Sequence, residues 1–401
     1  MGLLNRKKKD PAKPAANTAE EETPVESKTP EFFLVVTPGL EWLAEAEVKE
    51  WFPQLEPKAI KGGVTVLAPL EVGFAFNRCL KTPTRVLVRL ADFGCRDFPK
   101  LFKKMQNFPW ENWVSDQTKI EFEATSRTSR LKMKKRIEHT CADGRMARLK
   151  KKGVAGGKGP QTATVLVRFE DDVAWVSLDT SGEILHKRGT RAMTADAPLR
   201  ENLAASLLLL LESLGAFESG IELVDPMMGG GTFLLEASLL RKPIRTRSFA
   251  FEKFTMKLEP VTLQTAKPDP YASFVGIDLD PRALAAASEN LVKIGDKRPL
   301  ALRNEDFFAA KPLKPGKRRW LIVNPPYGER LKVKGGLGGY YEKLLATCEQ
   351  VVAPERACFL LPDKIDPTRL KAPRGWRLAR AEKFSNGGIG VVALAYVIER
   401  T

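Results

Sequence analysis

A buried strand that runs directly into two prolines is the feature that most constrains this chain. The apolar residues 321–323 predict a strand, which leads straight into Asn324-Pro325-Pro326-Tyr327. Proline fixes its own φ, donates no backbone hydrogen bond and keeps the residue before it out of helical geometry. The strand therefore has to end in a stiff, extended elbow that presents an amide oxygen, backbone carbonyls and an aromatic ring.

These groups suit a planar ring that carries an exocyclic amine. We expect Asn324 Oδ1 and the Pro325 carbonyl to accept the two amine hydrogens, because both are hydrogen-bond acceptors. We expect Tyr327 to stack on the ring. The candidate catalytic residues are Asn324, Pro325, Pro326 and Tyr327. Taken alone, the motif has a second interpretation, a proline-rich turn with no chemical role.

Length and charge narrow the class of protein. A chain of 401 residues predicts two or three domains. Its formal net charge of +16 predicts a polyanionic partner, either nucleic acid or an anionic membrane surface. No apolar run approaches the roughly 18 residues of a membrane span. The basic residues 1–10 lack the apolar segment that follows in a secretory signal, so we expect a cytoplasmic protein without membrane partners.

Cysteine and histidine usage argues against a metal centre. The five cysteines are odd in number and include no C-x-x-C pair, which indicates reduced thiols in a cytoplasm. Only two histidines occur, His139 and His186. We therefore expect no zinc site, no iron–sulfur cluster and no histidine-based triad.

The composition and the pattern of apolar residues change along the chain. Residues 1–30 are rich in Lys, Ala, Pro and Glu with almost no large apolar side chains, which predicts a disordered tail. Residues 31–180 alternate short strands and helices, which is typical of small α+β modules. Residues 181–196 are polar and predict a linker. From 197 to 401, helices alternate with strands, which predicts an α/β domain with a mostly parallel sheet and ligands at the carboxyl ends of its strands.

Three further segments suggest a nucleoside cofactor. Residues 225–232 follow a predicted strand, and their glycines let backbone approach a ligand at a helix N-terminus. Asp278 ends the next strand, where an acid can bind a ribose diol, and Asp306 can accept from an adenine amine. With the elbow, these segments describe a nucleoside-sulfonium pocket beside an amine-bearing base. The candidate cofactor-binding residues are Asp225, Pro226, Gly229, Gly231, Thr232, Asp278, Asp306 and Asn324.

Together these motifs resemble a known family. Residues 225–232, 276–278 and 324–331 are similar to class I S-adenosylmethionine-dependent RNA methyltransferases that carry a THUMP domain. The closest resemblance is to bacterial enzymes that methylate N2 of guanine in 23S rRNA. Residues 178–189 and 197–204 also resemble that family's linker. One departure is Met228 and Gly230, where such enzymes more often have Cys and Ser.

The resemblance implies an rRNA-processing transferase with S-adenosylmethionine as cofactor. It implies a ferredoxin-like segment over 31–95, a THUMP RNA-binding domain over 96–180, and a Rossmann-like methyltransferase domain over 197–401. It also implies guanine as the target base. The elbow by itself does not distinguish the amine of guanine from that of adenine.

A dense run of cations predicts the RNA-binding surface. Residues 127–152 contain eleven Lys or Arg and two acids. Phosphate binding explains such clustering and predicts salt-dependent affinity. The candidate RNA-binding residues are Arg127, Arg130, Lys132, Lys134, Lys135, Arg136, Arg145, Arg148, Lys150, Lys151 and Lys152. The alternative is a solvated helix face, in which case the RNA would follow the linker at Lys187, Arg188 and Arg191.

Three other functions stay open at this stage. The first is N6-adenine methylation of DNA or RNA, since the elbow serves either amine. The second is a non-catalytic RNA-binding protein with a methyltransferase-like fold, against which the intact Asp225, Asp278, Asp306 and Asn324 argue. A NAD-dependent enzyme is the weakest, because G-x-G-x-x-G is absent. For the methyltransferases, a paired base would have to leave its helix to reach the elbow.

Overall fold

The computed structural model describes residues 29–154, 156, 159–190, 199–265, 267–327 and 336–400. The expected tail therefore lies outside the described residues, apart from Thr29 and Pro30. The same holds for residues 197–198 and 328–331 of the family-like motifs, and for Arg191. Within the described ranges the chain forms two seven-stranded sheets, one in each half. No helix in those ranges combines the length and the hydropathy that a membrane span requires.

The N-terminal half is built on a mixed sheet. Its elements are β1 (Glu31–Val35), α1 (Glu41–Trp51), β2 (Lys58–Ile60), β3 (Gly63–Leu67), α2 (Leu70–Cys79), β4 (Arg85–Gly94), α3 (Phe98–Asn107), β5 (Lys119–Arg127), α4 (Lys134–Lys151), β6 (Thr162–Glu170) and β7 (Val173–Asp179). The strand order is β2-β3-β1-β4-β7-β6-β5. Only β5 and β6 pair in parallel, because α4 connects them as a crossover.

This sheet is continuous across the predicted module boundary. β4 pairs with β1 along one edge and with β7 along the other. The division at residue 95 between a ferredoxin-like and a THUMP segment thus falls within one hydrogen-bonded sheet. The two names stay predictions.

The C-terminal half is the predicted α/β domain with a mostly parallel sheet. Its elements are α5 (Glu201–Glu212), β8 (Ile221–Asp225), α6 (Thr232–Leu239), β9 (Tyr271–Asp278), α7 (Pro281–Lys293), β10 (Leu300–Asn304), β11 (Arg319–Val323), α8 (Gly336–Val351), β12 (Arg356–Pro362), β13 (Trp376–Asn386) and β14 (Ile389–Ile398). The order is β10-β9-β8-β11-β12-β14-β13. Only β14 runs antiparallel to its two neighbours.

The strand order places a crevice at one edge of this sheet. The order reverses between β8 and β11, which pair in parallel. Ligands of open α/β sheets bind at such a reversal, outside the carboxyl ends of the strands. β8, β11 and β12 are buried along their whole length, as expected for strands covered on both faces. The strands that lead to Asp225 and Asn324 are thus the rigid centre of the domain.

Two elements differ from the sequence-based expectation. β13 was not predicted, because it is an edge strand that pairs only with β14 and exposes most of its side chains. Its sequence therefore carries no apolar run. The basic run contains an 18-residue helix, α4, which has no side-chain cap.

Candidate active site

The glycine-rich loop after β8 has its shape fixed by two glycines. Gly229 and Gly231 have φ of +50° and +74°, a region that other residues rarely adopt. A Cβ on Gly231 would also come within 2.7 Å of the Ala287 Cβ on α7. The loop therefore lies close to α7 and turns directly into α6 at Thr232.

Met228, one of the two departures from the family-like pattern, packs against Gly276 of β9. Its side chain is buried, and its sulfur lies 2.2 Å from where a Cβ on Gly276 would stand. The Met228 amide also donates to the Ile277 carbonyl at 3.1 Å. The large side chain thus fills the space that the missing Gly276 side chain leaves, and backbone contacts to β9 hold the loop.

Asp278 joins the loop to the end of β9. Its Oδ2 accepts from the Gly229 amide at 2.8 Å, and its Oδ1 accepts from the Asp280 amide at 2.9 Å. The next residue, Leu279, is 68% exposed, which is unusual for a leucine at a strand end. Sequence reasoning missed Leu279, although an apolar residue directly after the acid was a signal. An apolar surface and a carboxylate therefore lie side by side at this edge.

Asp225 ends β8, as predicted, and its side chain is buried. Its side chain is only 1% exposed, and its Oδ1 accepts from the Met227 amide at 3.3 Å. Burial raises the pKa of Asp225 well above its usual range, and the negative charge of Asp278 raises it further. The carboxyl thus supports the loop by accepting from its backbone, and the predicted contact of Asp225 with a cofactor stays a prediction.

Two polar residues order the end of β10. Asp306 accepts from the Phe308 amide at 2.9 Å and so caps a short 3-10 helix over Phe307–Ala309. The Asn304 side-chain amide donates to the carbonyls of Asp278 and Leu279 at 3.0 and 2.9 Å. Sequence reasoning named Asp306 but missed Asn304. Asn304 connects the ends of β9 and β10, so the distance between Asp278 and Asp306 is held fixed.

The elbow after β11 contains a buried acceptor without a partner. Asn324 Oδ1 is buried and accepts no hydrogen bond within the described part of the chain. The Pro326 carbonyl, in contrast, accepts from the Tyr341 hydroxyl of α8 at 3.2 Å. A buried acceptor left unpaired costs free energy, so such an atom in a native site indicates a missing donor. An amine N–H would be that donor.

Tyr327 lies half-buried at the end of the elbow. Its ring packs against buried apolar residues of the core, and burial raises the pKa of its hydroxyl to about 12. The group is therefore neutral at physiological pH and acts as an aromatic surface with a polar tip. A ring held in this way loses little further freedom when a second ring stacks on it.

The structure brings most of the predicted site residues to one edge. Gly229, Asp278, Asp306 and Asn324 follow four adjacent strands at their carboxyl ends. Tyr340 of α8 links the two sides of the crevice, because its hydroxyl lies 3.8 Å from the Met227 sulfur. Pro226 and Thr232 are buried within the loop and at the start of α6. Their predicted contacts with a cofactor stay predictions.

The basic run divides into exposed and internal cations. The exposed ones are Arg127, Arg130, Lys132, Lys134, Lys135, Arg136, Lys150, Lys151 and Lys152. Arg145 is only 3% exposed and donates to the Thr118 carbonyl, so its prediction as a phosphate contact is wrong. Arg148 forms a two-pronged ion pair with Glu111 at 2.6 and 2.9 Å, which occupies its guanidinium. Both side chains hold α4 in place.

The structure describes two of the three linker cations that were considered for an alternative RNA path, Lys187 and Arg188. Arg188 is 1% exposed, and its guanidinium is directed into the protein. Only Lys187 of the three linker cations is at the surface of the described chain, where it pairs with Glu183 at 2.8 Å. Arg191 lies outside the described residues, so an RNA path along the linker stays a prediction in which Arg188 takes no part.

Metal-ligating groups do not converge in the described residues. No cluster of three or more His, Cys, Asp or Glu side chains occurs there. All five cysteines are buried free thiols.

Comparisons with known proteins agree with this geometry. Residues 188–391 match the model of the UPF0020 family, described as an RMKL-like methyltransferase domain. The chain is 29% identical over 394 residues to a ribosomal RNA large subunit methyltransferase K/L of Psychromonas ingrahamii, covering 92% of this chain and 50% of the relative. It is also 25% identical over 381 residues to a Synechocystis protein named as an RNA methyltransferase of unproven activity. That match covers 91% of this chain and 96% of the relative.

A solved structure shares the whole architecture. It is titled as SMU.472, a methyltransferase of unproven activity, in complex with SAH. The TM-score is 0.77 at 23% identity, over 93% of this chain and 99% of that one. This likeness shows a class I, Rossmann-like methyltransferase fold. The chain spans about half the length of the K/L relatives that it matches.

Proposed function

The chain belongs to the UPF0020 family of RMKL-like methyltransferase domains, and on that premise we propose that it methylates RNA. The proposed reaction moves a methyl group from S-adenosylmethionine to the exocyclic N2 amine of a guanine in large-subunit ribosomal RNA. The observation that carries the proposal is that Asn324 Oδ1 is buried and has no hydrogen-bond partner among the described residues, because an exocyclic amine supplies such a donor.

The residues around the crevice fit the cofactor. S-adenosylmethionine supplies an activated methyl group on a sulfonium, carried by a nucleoside and an amino acid. Asp278 lies at the end of β9, where a carboxylate meets a ribose diol, and the exposed Leu279 offers an apolar surface for the adenine. Gly229 and Gly231 let the loop backbone approach the amino-acid part. Asp306, exposed at the end of β10, is the acceptor for the adenine amine.

The elbow would act on the target amine by electrostatics and orientation. Asn324 Oδ1 and the Pro325 carbonyl accept the two amine hydrogens and localise the nitrogen lone pair toward the methyl group. Positive charge develops on this nitrogen during transfer, so fixed acceptors stabilise the transition state more than the ground state. The Tyr327 ring holds the base in line. The amine proton is lost after transfer, so the step needs no histidine base.

RNA is the partner that charge and relatives support. The nine exposed cations of the basic run surround α4, on the sheet of the N-terminal half. Few aromatic residues accompany them, so we expect contacts to phosphate and to RNA shape rather than base stacking. The K/L relatives are named for ribosomal RNA, which supports that RNA class here. A THUMP-type role for 96–180, and a cytoplasmic location consistent with the free thiols, belong to the same proposal.

A methyl-transfer assay tests the proposal. Purified protein with radiolabelled S-adenosylmethionine is offered protein-free ribosomal RNA, transfer RNA and duplex DNA in parallel. We expect label in ribosomal RNA with the wild type and almost none with Asn324→Ala. Label in DNA alone would favour the N6-adenine alternative on DNA. Cofactor binding without transfer to any nucleic acid would favour the non-catalytic RNA-binding alternative.

A further inference from the structure

A buried ion pair connects the linker to the helix that begins at the glycine-rich loop. Arg188 Nη2 lies 3.2 Å from Glu236 Oε2, and both side chains are 0% exposed. Glu236 is in α6, one turn after Thr232, where the loop ends. Arg188 lies in the linker, before the first helix of the C-terminal half, α5. The pair therefore ties the linker to the element that carries the loop.

The same guanidinium also contacts the N-terminal half. Arg188 Nη2 donates to the Lys81 carbonyl at 2.6 Å, and Nη1 donates to the Leu185 carbonyl at 2.7 Å. Lys81 follows α2, in the connection to β4. One buried side chain thus joins three parts of the molecule: the N-terminal sheet domain, the linker and α6.

A second buried cation repeats this connection beyond the end of α6. The Lys81 ammonium donates to the Lys242 carbonyl at 2.9 Å, while Glu47 accepts from the Lys81 amide at 2.7 Å. Close by, the Ile244 amide donates to the Arg78 carbonyl at 2.8 Å. The N-terminal half therefore contacts α6 through Arg188 and the segment just after it through Lys81. The position of α6 depends on both.

Stability alone does not account for the Arg188–Glu236 pair. Charges lose their hydration on burial, and apolar residues of similar volume often stabilise a protein as well or better. The pair is also incompletely satisfied, because Arg188 Nε and Glu236 Oε1 have no hydrogen-bond partner among the described residues. In some proteins such a buried, directional pair is retained because it specifies one arrangement of the parts that it joins.

We propose that Arg188 and Glu236 are positioning residues. They hold α6, and the glycine-rich loop that leads into it, in one position relative to the N-terminal half, which carries the proposed RNA-binding surface. This inference rests on the proposed function, since it assigns the loop to the cofactor. It predicts that cofactor affinity depends on a contact made outside the crevice. It also gives Arg188 a positioning role, whereas the sequence had suggested this linker cation as a possible RNA contact.

The first test replaces Glu236 with glutamine in the full chain. The size and shape of the side chain are kept, but the Arg188 cation loses its charged partner. We expect the dissociation constant for S-adenosylmethionine, measured by calorimetry on the folded protein, to rise about tenfold or more, because small displacements of binding groups are costly. The matched control is Glu183→Gln, which breaks the exposed pair with Lys187 one residue away in the same linker. We expect it to leave the dissociation constant within about twofold.

A double variant separates position from stability. Arg188→Met with Glu236→Leu replaces the pair by apolar side chains of similar volume. We expect its melting temperature to equal or exceed that of Glu236→Gln, because no unpaired buried charge is left. We expect cofactor affinity to stay low, because the directional contact between the linker and α6 is lost.

Either of two results would overturn the inference. One is a dissociation constant for Glu236→Gln that equals the wild-type value. The other is recovery of affinity together with the melting temperature in the double variant, which would make the pair a purely structural feature. A wild type that binds no S-adenosylmethionine would contradict the proposed function itself, so the two failures are distinguishable.

Discussion

The Tyr341 hydroxyl of α8 donates to the Pro326 carbonyl of the elbow at 3.2 Å. The bond fixes the second proline of the motif from outside the crevice. It also engages one lone pair of the Pro326 carbonyl, while Asn324 Oδ1 and the Pro325 carbonyl are the acceptors that we propose for the base. The elbow is thus held by its neighbouring helix as well as by its two prolines.

Tyr341→Phe should loosen the elbow without touching the cofactor loop. The variant loses one partly buried hydrogen bond, worth about 1 kcal/mol in unfolding free energy. We expect a lower melting temperature and a several-fold lower turnover, with unchanged affinity for S-adenosylmethionine. Tyr340→Phe is the comparison, because its hydroxyl lies 3.8 Å from a methionine sulfur, which is a weak acceptor. An equal loss of turnover in both variants would remove the specific role of Tyr341.

Asn324→Ala should nearly abolish methyl transfer while leaving both ligands bound. The amide oxygen matters most when charge develops on the amine, so we expect turnover to fall by about 10²–10³. Single-turnover rates with labelled cofactor measure this change. Calorimetry for the cofactor and filter binding for RNA are the controls. Turnover at the wild-type rate would contradict the acceptor role.

Asp278→Ala should weaken cofactor binding at least about tenfold, because a ribose diol left unpaired in a buried site costs ~1–3 kcal/mol. The loss includes the bond to the Gly229 amide, which shapes the loop. Asp280→Ala is a close control, since Asp280 caps α7 by accepting from the Arg282 amide at 2.9 Å. That variant should lower stability by about 1 kcal/mol and leave affinity unchanged. Equal affinities in the two variants would remove Asp278 from the site.

Charge removal on α4 should weaken RNA binding and its salt dependence. Gln at Lys134, Lys135, Arg136, Lys150, Lys151 and Lys152 removes six of the exposed cations. Each lost phosphate contact should lower the slope of log affinity against log salt by roughly 0.7–0.9. Arg145→Gln is the internal comparison, because this buried side chain should affect stability and not the slope. An unchanged slope in the six-site variant would make α4 a solvated face.

His186 should give the protein a pH-dependent stability below neutrality. Burial, aided by Arg200, lowers the pKa of His186 from 6.5 to about 4. The unfolded chain then binds a proton that the folded chain does not, so the stabilisation is complete above pH 6.5 and is lost as pH falls through 4. We expect His186→Gln to lose less unfolding free energy than the wild type between these values.

Proton NMR measures the same group directly. The chain has only two histidines, so a His139→Gln variant assigns the His186 signal. Titration of that signal near its ordinary pKa would contradict the buried, uncharged state. Equal loss of stability in the wild type and in His186→Gln would contradict the linkage.

The features that the sequence predicted are those determined by residues close to one another in the chain. The two prolines fixed the elbow, and the order of strands and acids led to a parallel sheet with its crevice between β8 and β11. Leu279 and Asn304 were missed because their importance depends on two strand ends lying side by side. Arg145 and Arg188 were placed at the surface because charge usually indicates exposure. Partners distant in the sequence, Thr118 and Glu236, decide otherwise.

β13 shows the same limit in the fold. Its sequence has no apolar alternation that would identify a strand, since pairing with β14 alone creates it. The continuity of the N-terminal sheet was also not predicted, because β4 and β7 are about 80 residues apart in the sequence. Nothing local marks their pairing, which backbone hydrogen bonds and the Arg85–Asp179 ion pair make.

The most direct test of the central claim is the identity of the methylated nucleoside. Ribosomal RNA from a strain lacking the protein is incubated with pure enzyme and labelled S-adenosylmethionine, digested and analysed by mass spectrometry. The account predicts label in N2-methylguanosine with the wild type and not with Asn324→Ala. Label in N6-methyladenosine would contradict guanine as the target but keep the elbow mechanism. An absence of label from every exocyclic amine would contradict the central claim.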